Sequence, residues 1–169
     1  MKAAEQGHAG AQSITAVIYH SGEGVPRDYQ KAMEWLKKAA EQEDADAQLG
    51  IGKMYQSGKG VPQDYQMAMG WYLKAAEKGD ADAQFNIGLM YHAGKGVPPD
   101  CEKAMEWYLK AADQGYTDAE HNIGMMYHAG KGVPQDNEKA MEWLRKADTI
   151  KNIEKLFQLS KTSQSSTGR

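Results

Sequence analysis

The chain has 169 residues, of which 41% are hydrophobic and 25% are charged, a composition typical of a soluble domain. Its 20 basic and 23 acidic side chains are mixed along the sequence and give a formal net charge of −3, which excludes a basic surface for nucleic acid or an anionic membrane. No apolar run approaches the roughly 20 residues that span a bilayer, and the single cysteine, Cys101, excludes a disulfide framework and points to a reducing, cytoplasmic location.

The first predicted element is the end of a helix. Residues 2–7 read KAAEQG and match KAAEKG at residues 74–79, where a helical pattern stops at a glycine. We therefore assign residues 1–10 to the tail of a preceding repeat. This assignment predicts an uncapped N-terminal end, available for end-to-end stacking on further repeats or on a second copy.

A glycine-valine-proline motif then recurs every 36 residues. Its copies are GEGVPRDY from Gly22, GKGVPQDY from Gly58, GKGVPPDC from Gly94 and GKGVPQDN from Gly130. Tryptophan recurs with the same interval, at Trp35, Trp71, Trp107 and Trp143. A fixed period of this length is the signature of a repeat array. We assign the repeats to residues 11–46, 47–82, 83–118 and 119–148.

Each repeat is predicted to contain two helices, A and B. In the third repeat Asp82 is the predicted cap of helix A, and Gly94 ends that helix. One apolar side of helix A has helical spacing and consists of Ala83, Ile87, Met90 and Tyr91. Helix A also contains an interior glycine in three repeats, Gly52, Gly88 and Gly124, for which close helix contact is the predicted reason.

Helix B of the third repeat is predicted to begin after its cap, Asp100, and to stop at Gly115. Its predicted core side consists of Ala104, Trp107, Tyr108 and Ala111, so the tryptophans are interpreted as core residues. Its solvated side carries glutamate-lysine pairs four residues apart, Glu34 with Lys38, Glu106 with Lys110 and Glu142 with Lys146.

A final stripe of Ile150, Ile153, Leu156 and Phe157 predicts a C-terminal capping helix at residues 149–159. Residues 160–169 contain no apolar anchor and are predicted to be a disordered tail.

The Gly94-Lys95-Gly96 loop invites comparison with a phosphate-binding loop, but it lacks the Walker spacing and is followed by Val97 rather than by serine or threonine. We therefore interpret the loop as a structural turn. The lysines that share its position, Lys59, Lys95 and Lys131, are interpreted as solvated turn residues, with contact to an acidic partner as the alternative.

The sequence offers no set of residues for catalysis or metal binding. His20, His92 and His128 share one repeat position, but equivalent helices in a stack lie roughly 10 Å apart. One zinc ion holds its ligands at about 2 Å, so these residues cannot easily share a metal. We predict no cofactor, no metal and no enzymatic activity.

The repeated pattern Ala-x-x-x-Ile-Gly-x-x-Tyr-x-x-Gly-x-Gly-Val-Pro-x-Asp, followed by Lys-Ala-x-x-Trp-x-x-Lys-Ala-Ala, resembles the Sel-1-like repeat family, relatives of the tetratricopeptide repeat. The resemblance covers residues 2–147. Departures are Met67 in place of a lysine, Glu43 in place of a stop glycine, and the degraded SITAVI of the first repeat. The resemblance implies an all-α fold, a right-handed α/α superhelix whose A helices line a concave surface, and a role as adaptor or scaffold.

The helix A positions that vary between repeats are the candidate partner-binding site. The predicted groove residues are Leu49, Lys53, Phe85, Leu89, His92, His121, Met125 and His128. Apolar side chains on an exposed groove favour a protein or peptide partner, although packing against the adjacent repeat is an alternative role. The leading hypothesis is a non-catalytic scaffold. The alternative is a structural or regulatory segment of a longer repeat protein that carries an enzyme domain such as a kinase.

Overall fold

The computed structural model describes residues 2–148. The predicted capping helix at 149–159 and the predicted tail at 160–169 lie outside the described residues. Eight helices have the bounds α1 Lys2–Glu5, α2 Ala9–Ser21, α3 Tyr29–Ala40, α4 Ala45–Ser57, α5 Tyr65–Glu77, α6 Ala81–Ala93, α7 Cys101–Ala112 and α8 Thr117–Ala129. Residues 137–148 form a further helix, α9. Regular structure in the described residues is entirely α-helical, which confirms the predicted fold class. No helix within them is long and apolar enough to cross a bilayer.

The chain divides into two compact units, one ending at Asp100 and one beginning at Cys101. In the first unit each helix packs against the next along the chain, from α1 through α6. In the second unit α7 packs against α8. Helix α8 in turn meets α9 where Gly124 lies against Leu144. Helices α2, α4, α6 and α8 are the predicted A helices, and α3, α5, α7 and α9 are the predicted B helices.

Aspartate side chains cap helices α3 to α6, but not all of them are the predicted residues. Asp44 and Asp80 precede α4 and α6, and their carboxylates accept hydrogen bonds from backbone N–H groups three residues later, at 2.8 and 2.6 Å. The prediction that Asp82 caps α6 is wrong. Asp82, Asp46 and Asp118 all lie inside the first turn of their helices. An N-cap residue has extended backbone and lies just before the first helical residue. Asp44 and Asp80 meet this condition, whereas Asp46 and Asp82 are already helical.

The predicted helix stops are confirmed. Each A helix ends at a glycine in the left-handed conformation, with φ between 63° and 80°, at Gly22, Gly58, Gly94 and Gly130. Glu43 occupies the place of a stop glycine after α3 and also has a positive φ, of 59°. It is the one non-glycine residue with positive φ within residues 2–148.

The core is built from alanine, methionine, isoleucine and tyrosine rather than from tryptophan. Ala104 and Tyr108 of α7 are fully buried, as predicted, but Trp107 is only half-buried. The same holds for the other three tryptophans. Met105, which the sequence interpretation left outside the core, is 4% exposed. The core interpretation of the tryptophans is therefore correct only in part: Trp35 and Trp71 pack against the buried core of the first unit, but all four tryptophans stay half-buried.

Lysine side chains lie over the tryptophan rings instead. The distance from the lysine Nζ to the ring centroid is 4.3 Å for Lys38 and Trp35 and 3.9 Å for Lys110 and Trp107. The predicted ion pair between Glu106 and Lys110 is not formed in the described part of the chain. Each ring remains half-buried because the lysine stem and ammonium cover its outer side.

The glycine-lysine-glycine loops are contacts between consecutive repeats. A Cβ built at Gly96 would lie 2.7 Å from the carbonyl oxygen of Tyr65, at the start of helix B of the preceding repeat. Lys95 Nζ lies 5.5 Å from the centroid of the same tyrosine ring. Gly60 and Lys59 contact Tyr29 in the same way. The structural interpretation of the loop is thus confirmed, and its lysines also pack over tyrosines.

Tyr108 provides a pH-dependent probe of the second unit. Its side chain is fully buried, and burial raises the pKa of its phenol to about 12. Because the folded state holds this proton more tightly than the unfolded chain, the stabilisation is complete below about pH 10 and is lost as pH rises toward the folded pKa.

We expect Tyr108→Phe to reduce the fall in melting temperature between about pH 9 and about pH 12, because the variant has lost the buried phenol of the second unit. Thermal unfolding followed by circular dichroism at several pH values measures this. Tyr55→Phe, at a half-buried tyrosine, is the control. An identical alkaline slope in wild type and Tyr108→Phe would contradict the expectation.

Candidate functional site

Helix A exposes a different side chain at the same position of each repeat. The position is held by Val17, Lys53, Leu89 and Met125. Val17 is 64% exposed and Met125 is 46% exposed, although both are apolar. The buried positions of helix A, by contrast, repeat the same small set of side chains, such as Ile51, Ile87 and Ile123. Exposed apolar side chains at a variable position are available to a partner rather than required by packing.

A cavity of about 860 Å³ lies between α2 and α4 in the first unit, and we call it the α2–α4 cavity. Its apolar walls include Ile14, Val17 and Ile18 from α2 and Leu36 from α3. Gly10 and Gly50 also line it and contribute no side chains, which widens the space. The volume is in the range of small-ligand and side-chain pockets.

Polar groups stand around these walls. Asp46, Lys53 and Ser57 from α4 line the cavity, together with His20 from α2 and Lys59 from the following loop. Cavity walls that are mainly apolar with a few polar groups are suited to a ligand that is itself apolar with a polar end.

The predicted groove residues of the first unit have different environments. Lys53 lines the α2–α4 cavity and pairs with Asp82 of α6, with 2.9 Å between Nζ and Oδ2. Phe85 and Leu89 are half-buried on α6. Leu49 is only 9% exposed, so it offers little surface to a partner.

His92 is half-buried and follows Phe85 and Leu89 at positions i+7 and i+3, so the three share one side of α6.

The predicted residues of the second unit lie on α8 and are all exposed. His121, Met125 and His128 are spaced by four and three residues and therefore share one side of the helix. His128 Nδ1 lies 3.1 Å from Asn137 Oδ1, which holds the ring near the start of α9. We use the term helix-A face for the exposed and half-buried helix A positions of each unit taken by itself: Ile14, Val17, Lys53, Phe85, Leu89 and His92 in the first unit, and His121, Met125 and His128 in the second.

Sequence reasoning missed Ile14 and Leu36 as site residues. Ile14 is 65% exposed, the largest value among the large hydrophobic residues that the structure describes. The available signal was a pair of apolar residues, Ile14 and Val17, that lies off the buried stripe of Thr15 and Ala16.

The electrostatic environment of His20 favours its neutral form. Burial lowers the pKa of its imidazole, and the positive charges of Lys59 and Arg27 lower the pKa further. The ring is half-buried and tilted against Tyr29, with 5.1 Å between ring centroids. A neutral imidazole carries one nitrogen that accepts a hydrogen bond, so the cavity contains an acceptor at neutral pH.

Within residues 2–148 no three histidine, cysteine, aspartate or glutamate side chains are arranged to hold a metal ion. The chemistry that the described site supports is binding, through apolar walls and a few hydrogen-bonding groups.

Comparison with known families gives a consistent match along the chain. The Sel1 repeat model matches residues 9–44, 45–80, 81–116 and 117–147. These ranges begin two residues before the repeats assigned from the sequence. No curated protein sequence matches the chain significantly.

Solved structures show the same similarity. The chain is 40% identical, with a TM-score of 0.85, to c5321, a protective antigen of uropathogenic Escherichia coli that displays an SLR fold. It is 39% identical, with a TM-score of 0.83, to a Sel1 repeat protein from Oxalobacter formigenes. Each match covers 88% of this chain, but the chain spans only 32% and 61% of those two proteins. A third structure, Helicobacter pylori cysteine rich protein B, is 27% identical over 73% of this chain and 89% of that protein, with a TM-score of 0.58.

Proposed function

Because this chain belongs to the Sel1 repeat family, we propose that it is a non-catalytic scaffold that binds a protein or peptide partner through its helix-A face. Sel1 repeat proteins are commonly protein-interaction scaffolds and are generally non-catalytic.

The exposed apolar side chains of helix A carry the proposal. Ile14, Val17 and Met125 leave 65%, 64% and 46% of their surface in solvent, although smaller or polar residues would satisfy a purely structural helix. Covering a large apolar side chain contributes about 1.5 to 3 kcal/mol. A partner that covers both Ile14 and Val17, which lie on α2, gains enough to offset part of the cost of association.

The loop glycines and the tryptophans have structural roles, whereas the helix-A face is a variable surface. The loop glycines pack on the preceding repeat, and the tryptophans lie under lysines. A position with a structural role keeps its residue type every 36 residues, whereas the residue type at a partner-binding position is free to differ between repeats.

Two methionines provide a matched test of this proposal. Met125 lies on helix A and is 46% exposed, and Met67 lies on helix B and is 44% exposed. We expect Met125→Asp to weaken binding of a captured partner by about tenfold or more, because an apolar contact is replaced by a charge. Met67→Asp should leave the affinity unchanged.

The partner is first identified by affinity capture on the immobilised chain and is then titrated against each variant. Both methionines are exposed, so both variants should retain the wild-type melting temperature. Loss of affinity in Met67→Asp with none in Met125→Asp would place the binding surface on helix B and contradict the proposal.

A further inference from the structure

The second repeat shows how the space beside helix A is normally filled. Tyr72 of α5 is completely buried, and its ring lies so close to Gly52 of α4 that a Cβ there would be 2.5 Å from ring carbon Cε1. The Tyr72 hydroxyl donates a hydrogen bond to Gln56 Oε1. Lys53, which follows Gly52 on α4, pairs with Asp82, and the Asp82 charge raises the pKa of Tyr72 in addition to the larger effect of burial.

The first repeat has different residues at each of these positions. Thirty-six residues earlier in the chain, Tyr72, Gly52 and Gln56 correspond to Leu36, Ala16 and His20, and the pair of Lys53 and Asp82 corresponds to Val17 and Asp46. All five of these first-repeat residues line the α2–α4 cavity. The cavity therefore lies where the second repeat holds a tyrosine ring, its hydrogen-bond partner and an ion pair.

The residues of the first repeat do not fill the space that Tyr72 and the ion pair fill in the second repeat. Leu36 has neither the ring nor the hydroxyl of tyrosine, and Val17 cannot form an ion pair with Asp46. Ile14 and Val17 remain highly exposed at the cavity, at 65% and 64%. Apolar walls that are exposed to water favour an apolar occupant.

The polar groups of the cavity select for an occupant that also carries a hydroxyl. His20 holds the position of Gln56, which accepts the hydrogen bond of the tyrosine in the second repeat. The carboxylate of Asp46 is a second acceptor among the lining groups. A phenol has one hydroxyl that donates a hydrogen bond and a ring that covers apolar walls.

We propose that the α2–α4 cavity binds the side chain of a tyrosine that the partner protein or peptide presents. This inference rests on the proposed scaffold function and specifies what the partner inserts. The ring lies against Ile14, Val17 and Leu36, and its hydroxyl donates to His20 or Asp46.

The test uses the full chain with labelled isoleucine, leucine and valine methyl groups, followed by NMR. The probes are p-cresol, toluene and N-acetyltyrosinamide. We expect p-cresol and N-acetyltyrosinamide to give saturable shifts at Ile14, Val17 and Leu36, with dissociation constants on the order of millimolar for such small ligands. Toluene should bind about fivefold more weakly, because it makes no hydrogen bond.

A double variant, Ala16→Gly with Leu36→Tyr, copies the second repeat and fills the cavity from within. The glycine is required because a Cβ at the equivalent residue, Gly52, would overlap the tyrosine ring. We expect this variant to keep its melting temperature and to lose p-cresol binding by tenfold or more. Leu144→Tyr, at the same position of the fourth repeat, is the control and should bind p-cresol as wild type does.

A second variant tests the proposal independently of any repacking in the core. Val17 is exposed, so Val17→Lys should leave the fold intact and form the ion pair with Asp46 that the second repeat has between Lys53 and Asp82. We expect it to reduce p-cresol affinity at least threefold. Unchanged affinity in both variants would overturn the proposal.

Three further outcomes would also overturn it: no saturable shift with p-cresol, equal affinities for p-cresol and toluene, or binding of p-cresol without binding of N-acetyltyrosinamide. The proposed scaffold function has its own readout. If Met125→Asp abolishes partner binding while p-cresol does not bind, the scaffold function stands and the tyrosine site is rejected.

Discussion

Gly96→Ala should lower the free energy of unfolding by about 2 to 4 kcal/mol, because the added methyl group would overlap the backbone of the preceding repeat. Gly96 has a φ of 73°, so alanine is strained there, and its Cβ would lie 2.7 Å from the backbone carbon and oxygen of Tyr65. Backbone atoms at the start of a helix cannot move aside without disturbing its first turn.

Gly24→Ala is the matched control for this prediction. Gly24 holds the same position in the first repeat and has a φ of 74°, but nothing lies within 4 Å of a Cβ built there. Gly24→Ala should therefore lower the free energy of unfolding by only about 1 kcal/mol, the cost of placing alanine in the left-handed conformation. Urea unfolding of both variants measures the difference. Equal destabilisation would show that the loop does not pack on the preceding repeat as described.

We expect Gly52→Ala and Gly70→Ala to change stability in opposite directions. Both glycines lie inside helices, where alanine is favoured by about 1 kcal/mol. Gly70 is exposed and has nothing within 4 Å of a built Cβ, so Gly70→Ala should stabilise the protein by that amount. At Gly52 the buried ring of Tyr72 occupies the space, so the overlap should outweigh the gain and destabilise the protein by about 1 to 2 kcal/mol net.

A second substitution distinguishes overlap with Tyr72 from other causes. The first repeat combines alanine and leucine at these two positions, as Ala16 and Leu36. The double variant Gly52→Ala with Tyr72→Leu should therefore lose less stability than the sum of the losses in the two single variants, measured by thermal and urea unfolding. Additive losses from the two single changes would rule out the ring contact as the cause.

The glycines illustrate how a sequence pattern and a structure complement each other. The pattern predicted close helix contact for the glycines inside helix A, and the structure confirms it at Gly52 and at Gly124, which lies against Leu144. The pattern predicted only a sharp turn for Gly96, because φ preferences are local. Its contact with Tyr65 joins residues 31 apart and is visible only in the folded chain.

The tryptophans and the capping aspartates show where sequence reasoning fails. Helical spacing assigns Trp107, Ala104 and Tyr108 to the same apolar side of the helix, which covers a wide arc. The spacing does not distinguish residues at the centre of this side from residues at its edge. The structure places Trp107 at the edge, half-buried beneath Lys110. Likewise Asp80 and Asp82 are equally good caps by residue type, and the helix start decides between them.

The sequence by itself determined the 36-residue repeat, the paired helices, their glycine stops and the family, because each of these follows from local backbone preference and apolar periodicity repeated along the chain. Only the tertiary structure decided that Ile14, Val17 and Leu36 surround a cavity and that Leu49 is buried. The physical reason is that a cavity depends on which side chains of different helices meet, and on the size of each. Periodicity gives the direction of a side chain on its own helix, but the space left between Leu36 and Ala16 exists only after the helices have packed.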